Sequence, residues 1–374
     1  MHWCIPSILR GNKKESYKCS MIKNIRSIAA FLLSALMLAG AMSLSSFKKD
    51  KRFTITANEA QKRVDITVDG KPFTSYIYPE ELMKPVLYPL RTSKGTLVTR
   101  GWPMDPRPGE RIDHPHHVGM WFNYGNVNGL DFWNNSTAIP AEKKSAFGTI
   151  KHVSVNKMTA DDDKAELEVT MNWQKPDGTS LLREDTKYIF TKEGEQLAIE
   201  FLTKLTSLKE DVSFTDNKEG LLGIRVAREL EHPSDEPQKF TDANGIATEV
   251  AKLNNDGVTG KYLSSEGIEG DSVWGTRGKW VNLNGKIGNE LISLVILDNP
   301  QNVGYPTYWH ARGYGLFAAN PLGQKEFSKG KEVLNYKLKA GQSVVFKYTV
   351  LINSGSNLSA NEVNKRFMEF SHTR

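Results

Sequence analysis

Cysteine is nearly absent from this 374-residue chain: Cys4 and Cys19 are the only two, and both precede Met21. From Met21 the sequence runs MIKNIRSIAAFLLSALMLAGAMS. Lys23 and Arg26 form a basic head, Ile28 to Leu38 an apolar core, and Ala39-Gly40-Ala41 a small-residue cleavage pattern. Residues 21–41 therefore read as a secretory signal peptide, and residues 1–20 as a start assigned too far upstream. A chain cut after Ala41 has no cysteine, which excludes disulfides, a thiolate nucleophile and cysteine-ligated metals. The apolar core of the leader is shorter than the roughly 20 residues of a membrane-spanning helix, and no longer apolar run follows it. The expected location is periplasmic or secreted, with no stable membrane insertion after signal cleavage.

An excess of charge is missing too. The formal net charge is +6, but residues 1–41 hold six Lys/Arg and one acid, so the remainder carries only +1. The basic signal belongs to the leader, and no nucleic-acid partner is expected. There is no P-loop, no G-x-G-x-x-G after a strand, no G-x-S-x-G elbow and no H-E-x-x-H. Those absences argue against nucleotide binding, a serine hydrolase and a zinc protease. Long helical periodicity and internal repeats are lacking as well, which argues against bundles, propellers and β-helices.

What remains is dominated by strands. Alternation of apolar and polar residues appears in RFTITAN, RVDITVDG, AELEVTMNW, LLREDTKYIF, EQLAIEFLTKLTSL, ELISLVILDNP and QSVVFKYTVLINS. Turn residues separate them: Asp69-Gly70, Pro176-Asp177-Gly178, Glu193-Gly194-Glu195, Asn284-Gly285 and Ala340-Gly341. One helix is predicted at the end, where Ser359 and Glu362 form a capping box ahead of Val363, Phe367 and Phe370. This pattern predicts an all-β fold, a large antiparallel β-sandwich with a short C-terminal helix, as a single domain over residues 50–374. The stretch from Tyr88 to Ser145 reads as long loops lying over one face, a usual place for a binding site.

Three segments concentrate chemistry. The first, residues 89–134, holds Arg100, Asp113, His114, His116, His117, Trp121, Asn123, Asp131 and Trp133. Indole faces stack on the apolar face of a pyranose, while amides, carboxylates and arginines fix hydroxyls, so this mixture suits a sugar. The second, residues 304–327, holds Trp309, His310, Arg312, Lys325 and Glu326. In the third, TDNKEGLLGIRVARELE, alternation places Arg225 opposite the apolar face, with Glu219 beside a glycine. The expected substrate contacts are Arg100, Trp121, Asn123, Asp131, Trp133, Arg225, Trp309, Arg312 and Lys325. The expected acid/base groups are His116, His117 and His310 with Glu219 or Glu326. Each also has a plainer reading, as loop-holding imidazoles, core aromatics or solvated charges.

A second possibility is a metal. In an extended His114-Pro115-His116-His117, His114 and His116 share a face, and His310 could complete a single divalent site. No cofactor is expected on the first reading. The partner is a small-molecule or oligosaccharide substrate.

The blocks RGWPMDPRPGERIDHPHHVGMWFNYGNVNGLDFW, NKEGLLGIRVARELE and PTYWHARGYGLFAANPLGQKEF resemble the DUF6807 family of bacterial proteins, often labelled "methane oxygenase PmoA". That label implies a metal-dependent oxidoreductase, although the chain has no spanning helix of the kind a membrane-bound oxygenase subunit carries. More loosely, LKAGQSVVFKYTVLIN is similar to the closing strands of galactose-mutarotase-like super-sandwich domains. That likeness implies sugar binding on a concave sheet, with a histidine as acid and a carboxylate as base. Epimerase-, lyase- and hydrolase-type reactions all fit it, as does a non-catalytic glycan-binding protein.

Overall fold

The computed structural model describes residues 51–242, 244–250 and 254–371. The expected signal peptide and the segment before it lie outside the described residues. The chain opens with β1 (Phe53–Asn58), β2 (Arg63–Val68) and β3 (Lys71–Ile77), then β4 (Val86–Leu87) and β5 (Met120–Tyr124). A meander follows: β6 (Thr149–Ala160), β7 (Lys164–Gln174), β8 (Ser180–Glu193) and β9 (Gln196–Ser207). Next come β10 (Val212–Phe214), β11 (Gly220–Arg225) and a small hairpin of β12 (Gln238–Thr241) and β13 (Ala247–Val250). The strands β14 (Lys261–Ser264), β15 (Trp280–Ile287) and β16 (Glu290–Asp298) lead to the hairpin of β17 (Tyr308–Arg312) and β18 (Leu316–Asn320). The chain ends with α1 (Gln324–Phe327), β19 (Tyr336–Leu338), β20 (Ser343–Ser354) and α2 (Ala360–Ser371).

Two eight-stranded antiparallel sheets result. The first has the order β1-β2-β3-β4-β5-β11-β18-β17, the second β14-β15-β16-β20-β9-β8-β7-β6. The period-2 pattern explains the second sheet. In β7, Leu167, Val169, Met171 and Trp173 turn inward, while Glu168 and Asn172 turn out. Asp69 and Gly70 both adopt positive φ, as a tight hairpin between β2 and β3 requires, with Val68 paired to Lys71.

The inner row of the first sheet is Phe122, Leu222, Ala319 and Trp309, paired across β5, β11, β18 and β17. These residues share one apolar core with Trp173, Phe201 and Phe346 of the second sheet. Phe122 meets Phe201 and Phe346 at ring distances of 5.2 and 5.8 Å. The capping box forms as expected: the Ser359 amide donates to Glu362 Oε2 at 2.7 Å, and the Glu362 amide to Ser359 Oγ at 3.3 Å. It sets α2 so that Val363 and Phe367 cover Trp280, Val295 and Leu351 on the back of the second sheet.

One expectation needs correction. The Tyr88–Ser145 stretch is not loop throughout, because β5 lies inside it and pairs centrally with β4 and β11. All five residues of β5 are buried. A strand covered on both faces loses the alternation by which a half-exposed strand is recognised.

Candidate functional site

The outer face of the first sheet carries the next row: Trp121, Gly223, Ala318 and His310, again paired across β5, β11, β18 and β17. Arg225 faces the same way, opposite Leu316. At about 4.8 Å per strand this row spans roughly 14 Å from Trp121 to His310. The DHPHH segment lies over its Trp121 end.

Four rings form a column there. Trp121 stacks on His117 at 5.0 Å, His117 on His114 at 4.8 Å, and His114 on Tyr314 at 5.1 Å, all nearly parallel. Trp133 closes the base edge-on to Trp121 at 5.2 Å. His114 has a positive φ, so the segment turns instead of running extended, and His116 packs edge-on against the column, 5.7 Å from His114 and 4.3 Å from His117. Two arginines hold this turn. Arg100 donates to the carbonyls of Arg111, Asp113, His114 and His117. Arg225 donates to Asp113 Oδ1 at 2.6 Å, lies 3.3 Å from His117 Nδ1 and sits over Tyr314.

These contacts reassign several expected substrate residues. Trp121 and Trp133 are fully buried, and the column already stacks on Trp121, so neither offers a face to a sugar. Trp309 faces the inter-sheet core, with its indole nitrogen bonded to the Gly278 carbonyl at 3.2 Å. Asn123 is buried and donates to the Phe132 carbonyl. Asp131 accepts from the Trp133 and Asn134 amides and shapes a turn. Arg100 and Arg225 are buried and act on the loop from behind. Lys325 and Glu326 are exposed on α1, where the plainer reading of solvated charges holds.

The expected acid/base groups also separate. His117 is buried in the column, and burial, followed by the neighbouring His116 and Arg225, holds it well below the usual imidazole range. His116 turns to a different cleft, and burial, reinforced by Lys84, pushes it down to about 2. His310 Nδ1 lies 3.7 Å from Glu219 Oε2, beyond hydrogen-bond reach, and is buried with no hydrogen-bond partner among the described residues. Burial, then Lys218 and Arg312, lower His310 to about 3. His114, His116 and His310 do not converge: among the described residues no three His, Cys, Asp or Glu side chains come together as a metal ion would need. His114 and His116 remain neighbours, with ring centres 5.7 Å apart, but His310 does not join them.

The better-built site lies beyond the Tyr314 end of the column. It is a cleft of about 450 Å³ whose walls include Arg111, Asp113, His114, His232, Asp271, Trp274, Arg312 and Tyr314. Two histidine–carboxylate pairs meet in it. His114 Nδ1 lies 3.2 Å from Asp113 Oδ2, and His232 Nδ1 lies 3.4 Å from Asp271 Oδ1. The β17–β18 turn brings them together. Tyr314 of that turn stacks on His114, while Gly313 accepts from the His232 amide at 2.8 Å. A Cβ on Gly313 would fall 2.8 Å from Asp271 Oδ1, so any larger residue here would push that carboxylate from its place. Arg312 lies over the Trp274 ring at 5.3 Å. Arg111 is anchored from behind by Glu231 at 2.6 Å.

The charge states follow from these contacts. Burial alone would raise the Asp113 carboxyl, but Arg225, the His114 hydrogen bond and Arg100 outweigh it and hold Asp113 well below the usual carboxylate range. Burial lowers His232, against the opposing charge of Asp271. The His232 Nε2 is buried with no partner among the described residues. Burial pushes the Tyr314 phenol up to about 12, so it remains a donor at neutral pH. The cleft thus combines a neutral imidazole base, a fixed carboxylate, a phenol and two arginines.

Of the expected residues, only Arg312 and His114 line this cleft. His232, Asp271 and Trp274 lie outside the three segments singled out in the sequence. One signal was available: His232-Pro233 repeats the His-Pro step of His114-Pro115.

Comparison with known families adds a decisive match. The model of DUF6807, a family of unknown function, matches residues 63–368. The chain belongs to the DUF6807 family. The DUF6807 match covers every strand from β2 to β20 and all the cleft residues. No curated protein matches the sequence. Among solved structures, the chain is similar to the GH36 α-galactosidase AgaB from Geobacillus stearothermophilus, at 11% identity and a TM-score of 0.38, over 81% of this chain and 41% of that one. It is also similar to galactose 1-epimerase from Lactobacillus acidophilus NCFM, at 10% identity and a TM-score of 0.37, over 82% of this chain and 100% of that one. The chain thus spans less than half the length of the α-galactosidase. Overlap at this level carries no functional argument, and the reading below rests on the cleft.

Proposed function

We propose that this DUF6807 protein is an exported carbohydrate-active protein that performs histidine–carboxylate acid/base chemistry in the cleft beside the β17–β18 turn. The observation that carries the reading is the convergence of two His–Asp pairs on one sugar-sized cleft bearing Trp274 and Tyr314. Aromatic rings, carboxylates and arginines together recognise a pyranose through its C–H face and its hydroxyls. His232 would exchange a proton at Nδ1, the ring nitrogen on the side of Asp271, whose carboxylate steadies the imidazolium. The Asp113–His114 pair supplies the second proton-handling group, with Asp113 kept ionised by Arg225. Proton removal and return at neighbouring positions suit an epimerase- or lyase-type reaction, and hydrolysis is the remaining option. Export rests on the leader at residues 21–41, and the periplasm or the exterior is the proposed location.

The test is product analysis by NMR on a saccharide panel, comparing the protein cut after Ala41 with His232→Ala and His114→Ala. A positioned acid or base contributes on the order of 10²-fold or more, so each variant should lose at least that in kcat while keeping its Tm. Full turnover in both variants would contradict the assignment. Saccharide binding by the unmodified protein without product over long incubation would favour a glycan-binding role.

A further inference from the structure

On the other side of the DHPHH turn, away from the two His–Asp pairs, lies a second cleft of about 480 Å³. Its walls are largely apolar, with Leu82, Met83, Trp102 and Met104, yet Glu81, Lys84 and His116 also line it. Lys84 is 4% exposed. Its Nζ donates to a neutral acceptor, the His116 carbonyl, at 2.7 Å, and lies 5.4 Å from the centre of the Trp121 ring. Among the described residues no carboxylate pairs with it. The His116 Nε2 beside it is also buried and unpartnered.

A lysine placed this way has no carboxylate at ion-pair distance among the described residues to offset its burial. An unpaired ammonium in an apolar wall is unfavourable, so such a group sheds its proton and becomes a nucleophilic amine. The single hydrogen bond to a carbonyl uses one N–H and leaves the nitrogen lone pair free. Burial is also the leading cause that brings Lys84 down to about 7, only partly offset by the charge of Asp131.

We propose that Lys84 is a reactive amine that condenses reversibly with the carbonyl of a small, apolar aldehyde bound in this second cleft. The Nζ lone pair forms a bond to the carbonyl carbon, and the C=O π pair moves to oxygen, which takes a proton. The carbinolamine then loses water as the nitrogen lone pair forms C=N, and the nitrogen proton passes to solvent. No oxidant or reductant is consumed. The site is separate from the cleft assigned to carbohydrate chemistry, so either assignment can fail without the other.

The experiment is reductive trapping. The protein is incubated with benzaldehyde at pH 7 and treated with cyanoborohydride, and benzylated lysines are mapped by peptide mass spectrometry. Lys84 should be labelled at least roughly tenfold faster than any exposed lysine, since those remain almost wholly protonated at this pH. That preference should vanish in denaturing urea. Labelling confined to exposed lysines would overturn the proposal, as would a Lys84 preference that persists in urea, which would trace to local sequence and not to the cleft.

Discussion

His310 and His116 are imidazoles sealed from water, and they couple proton uptake to unfolding. In the unfolded chain each titrates near 6.5, whereas burial lowers His310 to about 3 and His116 to about 2. Between those values the unfolded state binds more protons, so the stability they contribute is present above about 6.5 and lost as pH falls toward 3. At pH 4 the loss from His310 alone is on the order of 3 kcal/mol. Urea midpoints at pH 7 and pH 4 should show a shallower pH dependence for His310→Gln than for the unmodified protein. Lys84 acts in the same direction at higher pH: its contribution rises from about 7 toward 10.5 and is lost as pH falls through 7. The individual residues were legible in the sequence as types but not as environments. Arg225 faces away from the core as its alternation predicts, whereas Trp309, an adjacent-strand aromatic in a segment rich in polar groups, turns inward on parity alone.

At the scale of elements, the β17–β18 turn is the piece on which the cleft depends. Gly313→Ala should displace Asp271 or the turn, lowering kcat by about tenfold or more while far-ultraviolet circular dichroism stays unchanged. Helix α2 provides an independent check on the fold. Ser359→Ala removes its N-cap and should cost about 1 kcal/mol, and Phe367→Ala, which empties a packed position on the second sheet, about 3 kcal/mol, both read from denaturant midpoints. Elements with one wet face announced themselves: β7 by its alternation, α2 by its capping box. β5 did not, because covering both faces erased the period.

At the scale of the whole molecule, the cleft is assembled from segments near residues 111–114, 232, 271–274 and 311–314. Such distant positions meet only when the first sheet and its covering loops are in place, so sequence spacing could not show them. The DHPHH segment drew attention for a sound reason, since it does build one wall. Its three histidines nevertheless take three roles: His117 in the ring column, His116 in the second cleft, and His114 beside Tyr314 and Asp113. Cluster density in sequence marked the neighbourhood, while the turn at His114 decided which ring reaches the reacting space.

The proposed function requires a carbohydrate to occupy the cleft shared by the two His–Asp pairs. The most direct measurement is a crystal structure of His232→Ala, which should bind without turning over, soaked with a saccharide that the unmodified protein converts. Density for a pyranose should lie against Trp274 and Tyr314, with hydroxyls at Asp113 and Asp271. Saccharide density on another face, with this cleft filled only by water, would contradict it.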